Sequence, residues 1–143
     1  GKSEILGYPI LKTYFKGLNI PVNRRNKSQA GHAFLKAKRA IEEGFSICIF
    51  PEGGVPDESV ILDRFKAGAF RLAINHKIPL VPMTFFDNKQ RLSFTFFSGS
   101  PGKMRVRVFP AITTKQLTIE ETSALSTKVY DLIKNSLIAD SNA

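Results

Sequence analysis

Ser46-Ile47-Cys48-Ile49-Phe50-Pro51-Glu52-Gly53-Gly54 decides the reading of the fold. An uncharged, mostly apolar run leads straight into a proline, an acid and two glycines. Such a run predicts a strand covered on both faces, the habit of parallel sheets. The Pro-Glu-Gly-Gly behind it predicts a turn at the strand's carboxyl end. In open α/β sheets ligands collect beyond such strand ends, and glycines there let backbone N–H groups approach an anion closely. Glu52 at the strand tip is placed either to orient a substrate hydroxyl or to hold a cationic neighbour. A tight turn with a salt-bridged acid is the plainer alternative on spacing alone.

Working outward, Pro79 to Phe86 is a second continuous apolar strand, and Leu92 to Phe97 and Met104 to Phe109 are two more. In the last of these Arg105 and Arg107 alternate with Val106 and Val108, which predicts one face in water. Ser28 is a cap for a helix whose Ala30, Ala33, Phe34, Ala37 and Ile41 share one face, with Gly44 as its stop. Lys66 to His76 reads as a second helix. Thr118-Ile119-Glu120-Glu121 is a capping box, and the helix behind it aligns Leu125, Val129, Leu132, Ile133 and Leu137. Upstream, Ser3 caps a short helical segment, Pro9 to Lys16 forms another, Ile20 to Asn23 is a short strand and Arg24 to Lys27 a polar loop. The alternation of strand and helix predicts an α/β domain, a mainly parallel central sheet flanked by helices. With 143 residues, the whole of 1–143 fits a single domain.

The charge is uneven. Residues 1–39 hold nine Lys or Arg and one acid, a net +8 of the chain's +9. That asymmetry predicts an anionic partner: a membrane face, a phosphorylated substrate or nucleic acid. Nucleic acid fits worst, because no strand interleaves aromatic with basic residues as a stacking platform would. A module that only binds anionic lipid or nucleic acid stands as the alternative to an enzyme. Cys48 is the lone cysteine, so no internal disulfide forms and a reducing compartment is the reading; within its apolar run it reads as core. No stretch approaches the ~20 apolar residues of a spanning helix. The chain starts at Gly1 with no leader, which reads as a trimmed product with an element upstream.

Arg24 follows the short strand Ile20–Asn23 and is expected at the same sheet edge as Glu52. A guanidinium fork suits phosphate. Lys66 opens a helix whose N-terminal dipole also favours an anion. Arg24, Lys66 and the Gly53-Gly54 turn thus assemble into an expected phosphate cradle. His32 and His76 lie on helices without a Ser or Cys nucleophile partner. No Cys-x-x-Cys or His-Glu-x-x-His occurs, and the reading includes no metal site and no cofactor.

These residues carry a resemblance. Phe50-Pro51-Glu52-Gly53 resembles the Phe-Pro-Glu-Gly core of the glycerolipid acyltransferases, the family that acylates lysophosphatidate. Gly17 with Ile20-Pro21-Val22-Asn23-Arg24 is similar to the family's upstream block, Phe65-Lys66-Ala67-Gly68 to its Phe-Lys-x-Gly segment, and Val81-Pro82-Met83 to its Val-Pro block. All four stand in the family's order, over about residues 2 to 86. The resemblance implies acyl transfer from acyl-CoA or acyl carrier protein to the hydroxyl of a lysophosphatidate-like acceptor, in phospholipid biosynthesis. Arg24, Glu52, Gly53, Gly54 and Lys66 would bind the acceptor, at the cytoplasmic face of an anionic membrane. Two departures matter. Gly54-Val55 stands where the family continues Thr-Arg. The family's His-x-x-x-x-Asp block, its general base, is missing: five residues past His32 is Ala37, and five past His76 is Val81. No catalytic residue is therefore assigned within the chain. The block is expected upstream of Gly1, this chain alone is expected to be inactive, and self-association is expected through a side left uncovered.

Overall fold

The computed structural model describes residues 27–54, 57, 59–91 and 99–141, in two compact units, Gly1–Cys48 and Ile49–Ala143. The readings over residues 3–26, Arg24 among them, and over 92–97 lie outside the described residues.

In the first unit, α1 spans Lys27–Glu42. It begins one residue before the expected Ser28 cap. Ala37 is its buried position at 6% exposure, while Phe34, expected on the same face, remains 38% exposed. Gly44 at φ +88° ends the helix as predicted. The Gly44 amide donates to the Ile41 carbonyl at 3.0 Å and the Phe45 amide to the Ala40 carbonyl at 2.8 Å, so two orphan carbonyls of the last turn are satisfied.

In the second unit, α2 spans Gly68–Asn75. Its buried Phe70, Ala73 and Ile74 follow the helical i, i+3, i+4 spacing. It closes through Lys77, held at φ +53°, whose amide donates to the Ile74 carbonyl. Next come β1 (Met83–Phe85), the one-turn α3 (Asn88–Arg91), β2 (Val106–Val108) and a 3₁₀ turn, Ile119–Glu121. The last helix, α4, spans Thr122–Ser141. The predicted capping box is present, the Thr118 amide donating to Glu121 Oε2 at 2.8 Å. Leu125, Val129 and Ile133 of α4 meet Phe70 and Ile74 of α2 in one cluster, with Leu62, Phe65, Leu80, Ile112 and Leu137 packed around it. Thr114, fully buried, sets its hydroxyl between the carbonyls of Ala73 and Ile78, fixing the exit of α2 against the C-terminal part.

The sheet departs from expectation. Among the described residues its two strands are antiparallel, with Met83 opposite Val108, Thr84 opposite Arg107 and Phe85 opposite Val106. A bridge between Leu80 and Ile112 extends the same ribbon. Of the strand expected over Pro79–Phe86, only Met83–Phe85 forms a ladder, with the isolated Leu80 bridge before it, and its neighbour returns from the opposite direction. A parallel partner needs a crossover, usually through a full helix, and the only described helix on this connection is the single turn of α3. Ser46–Phe50 forms no ladder among the described residues, and Ile49 and Phe50 are 41% and 62% exposed. Cys48, read as core, is exposed. An apolar run reports a segment that gains from cover; it does not by itself supply the backbone partner a strand requires.

The two faces of the ribbon are treated differently. Arg105 and Arg107 share a face with the buried Thr84, and both guanidinium carbons lie 5.4 Å from the Phe86 ring centre. Arg105 forks onto Asp87 (Nη2 to Oδ1, 2.8 Å) and onto Asp140 of α4 (Nη1 to Oδ1, 2.8 Å), and Arg107 Nη1 donates to Ser136 Oγ at 3.0 Å. On the other face Met83, Val106 and Val108 stay exposed.

Candidate functional site

The turn after Phe50 is built by local rules. Pro51 and Glu52 form its body, and the Gly53 amide donates to the Phe50 carbonyl at 3.2 Å. Closing the turn puts Gly53 at φ +71°, a backbone that glycine adopts without a Cβ penalty. The chain then loops out and returns beside its own start. The Lys66 amide donates to the Pro51 carbonyl at 2.9 Å, and the Asp63 amide to Glu52 Oε2 at 2.9 Å. The Glu52 carboxylate thus holds a backbone N–H eleven residues on.

That return lays Lys66 over Gly53. A Cβ on Gly53 would sit 2.8 Å from Lys66 Cε and 2.9 Å from its Nζ. The close approach is possible only because residue 53 has no side chain. Gly54, next along, is exposed, and a Cβ there would meet nothing within 4 Å, so its backbone is open to approach. The ion pairs among the described residues are Lys38–Glu42, Arg105–Asp87 and Arg105–Asp140, which leaves the Lys66 ammonium without a carboxylate partner there. Directly beyond Lys66 the N-terminus of α2 carries Ala67 as its cap, with no side-chain hydrogen bond. Its first amides and its dipole reinforce the positive potential at this spot.

Of the predicted site residues, the structure brings Glu52, Gly53, Gly54 and Lys66 together. Arg24 lies outside the described residues. His76 caps the opposite end of α2 from Lys66, about 12 Å along an eight-residue helix. Sequence reading missed Asp63, whose amide Glu52 holds: nothing in its residue type signals a backbone donor. It also missed the Asp87–Arg105–Asp140 bridge, which joins residues far apart in the chain. Among the described residues no group of His, Cys, Asp and Glu is arranged to hold a metal, and no helix is long and apolar enough to cross a membrane.

Known proteins are similar to this chain in sequence and in fold. A family described as Acyltransferase matches residues 1–86, more than half of the chain. A 1-acyl-sn-glycerol-3-phosphate acyltransferase of Limnanthes alba is 28% identical over 140 residues, 96% of this chain and 50% of that protein. The alpha form of the Mus musculus enzyme is 33% identical over 99 residues, 65% of this chain and 33% of its own length. The crystal structure of the 1-acyl-sn-glycerophosphate acyltransferase from Thermotoga maritima matches with a TM-score of 0.80 at 19% identity, over 100% of this chain and 56% of that one. That likeness shows the fold. The chain spans about half the length of the Limnanthes and Thermotoga proteins. On the matched family and its ordered blocks, this chain belongs to the glycerolipid acyltransferase family.

Proposed function

We propose that this chain is the acceptor-binding part of an enzyme that moves a fatty acyl group from acyl-CoA or acyl carrier protein to the hydroxyl of a lysophosphatidate-like acceptor in phospholipid biosynthesis, with residues 1–143 acting as one domain. One observation carries the reading: an ammonium without an ion-pair partner among the described residues, Lys66, lies on the bare backbone of Gly53 at an uncapped helix N-terminus. A phosphate dianion there gains charge-assisted hydrogen bonds from the ammonium and backbone amides at once. Glu52 keeps the loop closed by holding the Asp63 amide. Arg24, outside the described residues, is proposed from the family resemblance alone as a further ligand of the acceptor's phosphate. Anchoring that end sets the acceptor's hydroxyl at a fixed distance, the proximity part of catalysis.

Proton removal is a separate matter. No histidine of the chain is followed five residues later by aspartate, so this chain alone binds without turnover. The net +8 of residues 1–39 supports work at the cytoplasmic face of an anionic membrane. The exposed Met83, Val106 and Val108 support self-association of the isolated chain.

The test compares lysophosphatidate with a monoacylglycerol, its phosphate-free counterpart, in binding titrations as salt is raised. Lysophosphatidate is expected to bind more tightly and with steeper salt dependence. Lys66→Met and Arg24→Ala should each weaken it about tenfold, the order of one hydrogen bond to a charged group. Equal binding of the two lipids, with both variants matching the wild type, would remove the phosphate cradle.

A further inference from the structure

We infer that Tyr130 is a positioning residue for the anion site: through Leu62 and Phe65, α4 holds the returning strand of the loop so that Lys66 stays on Gly53. The inference rests on the acceptor-site reading of Lys66 and deepens it. Tyr130 lies in α4, beyond the residues 1–86 that the family description matches.

The contacts form a continuous chain within the second unit. The Tyr130 hydroxyl donates to the Leu62 carbonyl at 3.2 Å, across 68 residues of sequence. The peptide unit carrying that carbonyl also carries the Asp63 amide, which donates to Glu52 Oε2 at 2.9 Å. One peptide plane is therefore held from both sides, by α4 and by the Pro51-Glu52 turn. Three residues on, Phe65 sets its ring edge-on to Tyr130, with centroids 5.2 Å apart, and stacks on Phe70 of α2 at 6.1 Å. Edge-to-face pairs carry an orientation preference beyond their area. The next residue is Lys66, whose amide is bound to the Pro51 carbonyl. Residues 62 to 66 are thus pinned at alternate points by the turn and by α4: Leu62 and Phe65 are half-buried, while Asp63, Arg64 and Lys66 are exposed.

The physical need for such a support is plain. Lysine carries a long, rotamer-rich side chain, and ordering it on a ligand costs binding free energy unless its backbone origin is already fixed. A binding group is only as well placed as the shell that supports it. Neither backbone bond of the turn fixes the rotation of the 62–66 segment about its own axis. An aromatic ring packed on Phe65 and a hydroxyl bonded to the 62 carbonyl together do so.

The experiment measures lysophosphatidate affinity of the 143-residue chain and of four variants: Tyr130→Phe, Tyr130→Leu, Lys66→Met and the double change Lys66→Met/Tyr130→Phe. Leu137→Ala, on the same helix and packed against the core cluster, serves as the control for general loosening. Amide hydrogen exchange at Asp63 and melting temperature are read alongside. Tyr130→Phe is expected to weaken binding about threefold, the scale of one neutral hydrogen bond, and Tyr130→Leu about tenfold once the ring pair is lost as well. Both should speed exchange at Asp63 and flatten the salt dependence toward that of Lys66→Met. In the Lys66→Met background the tyrosine change should add nothing, the signature of coupling through one group. Leu137→Ala should lower the melting temperature and leave affinity within about twofold. If Lys66→Met weakens binding while both tyrosine variants match the wild type, the positioning role falls and the acceptor site stands. If Leu137→Ala weakens binding as much as Tyr130→Leu, the effect is general loosening and the role falls too. If Lys66→Met itself changes nothing, the acceptor reading fails and takes the positioning role with it.

Discussion

The ribbon of β1 and β2 has one face of Thr84, Arg105 and Arg107, continued by Phe86, which docks onto α4, and one of Met83, Phe85, Val106 and Val108. On the second face Phe85 meets the Phe50 ring at 6.2 Å, while the valines and the methionine stay exposed. Arg105 and Arg107 reach Asp140 and Ser136 of the helix across Phe86, while Val106 and Val108 remain 42% and 60% exposed. Alternation along a strand fixes which residues share a face. It does not say which face finds a partner. Here the choice turns on Asp87, buried at 4%, which needs a cation and receives the Arg105 fork and the Arg105 amide at 2.6 Å. A buried carboxylate that is satisfied on one side commits the ribbon to that side. Asp140 sits in the last turn of α4, where the helix dipole disfavours an acid, and Arg105 offsets that as well.

The largest effect should come from the core beneath the arginine face. Phe70 is 1% exposed at the centre of the α2–α4 cluster. Phe70→Ala is expected to cost about 3–5 kcal/mol in urea unfolding. A loss under about 1 kcal/mol would mean that the two helices do not form the principal packing of this unit, and the contrast between a docked and an undocked face would lose its basis.

The second effect concerns acid. The Arg105 side-chain and backbone hydrogen bonds hold the Asp87 carboxyl below its ordinary value, and burial opposes them only in part. A folded-state pKa below the unfolded one contributes stability that is complete above the unfolded value, near about 3.9, and drains away as pH falls through the folded value. The wild type should therefore lose melting temperature steeply below that point. Asp87→Asn should start lower at neutral pH and show a shallower acid slope. Parallel slopes for the two proteins would show that the docked face owes nothing to this pair.

What sequence disclosed here was chemistry carried by neighbours in the chain. The Pro51–Gly54 turn, the Thr118 capping box, the Gly44 stop and the α4 core residues Leu125, Val129 and Ile133 all follow from local spacing, because each depends on residues within a few positions. Lys66 over Gly53 was legible as a pairing of blocks, though the fastening of Glu52 to the Asp63 amide was not, since a backbone donor leaves no trace in residue type. Strand direction was illegible for the same kind of reason: Ser46–Phe50 is apolar enough for a central strand, and the partner is decided by where the chain returns. The Arg105 bridge spans 18 residues to Asp87 and 35 to Asp140. At such separations a single sequence gives no pairing rule.

A smaller effect tests the one flaw on the docked face. Thr84 is 1% exposed and its hydroxyl has no partner among the described residues. Burying an unpaired hydroxyl costs about 1–3 kcal/mol relative to a satisfied one. Thr84→Val keeps the branched shape and removes the polar atom. It is expected to be neutral or to stabilise by about 1 kcal/mol in urea unfolding. A clear loss would reveal that the hydroxyl is bonded, and that the docked face is fully satisfied.

The smallest effect is expected on the open face, and it is the sharpest check of the comparison because the same substitution can be made twice. Val108 lies on β2 at 60% exposure, and Val129 lies on α4 at 3%. Valine to threonine preserves shape and exchanges one methyl for a hydroxyl. At position 129 the hydroxyl enters the core cluster, and Val129→Thr is expected to cost about 1–3 kcal/mol. At position 108 the hydroxyl meets water and threonine keeps its strand preference, so Val108→Thr should change stability by less than about 0.5 kcal/mol. Any larger consequence of Val108→Thr must then come from another molecule. If the chain self-associates through Met83, Val106 and Val108, light scattering should show weaker association for Val108→Thr at unchanged unfolding free energy. A Val108→Thr loss approaching that of Val129→Thr would show the valine face to be covered in solution, and the asymmetry between the two faces of the ribbon would disappear.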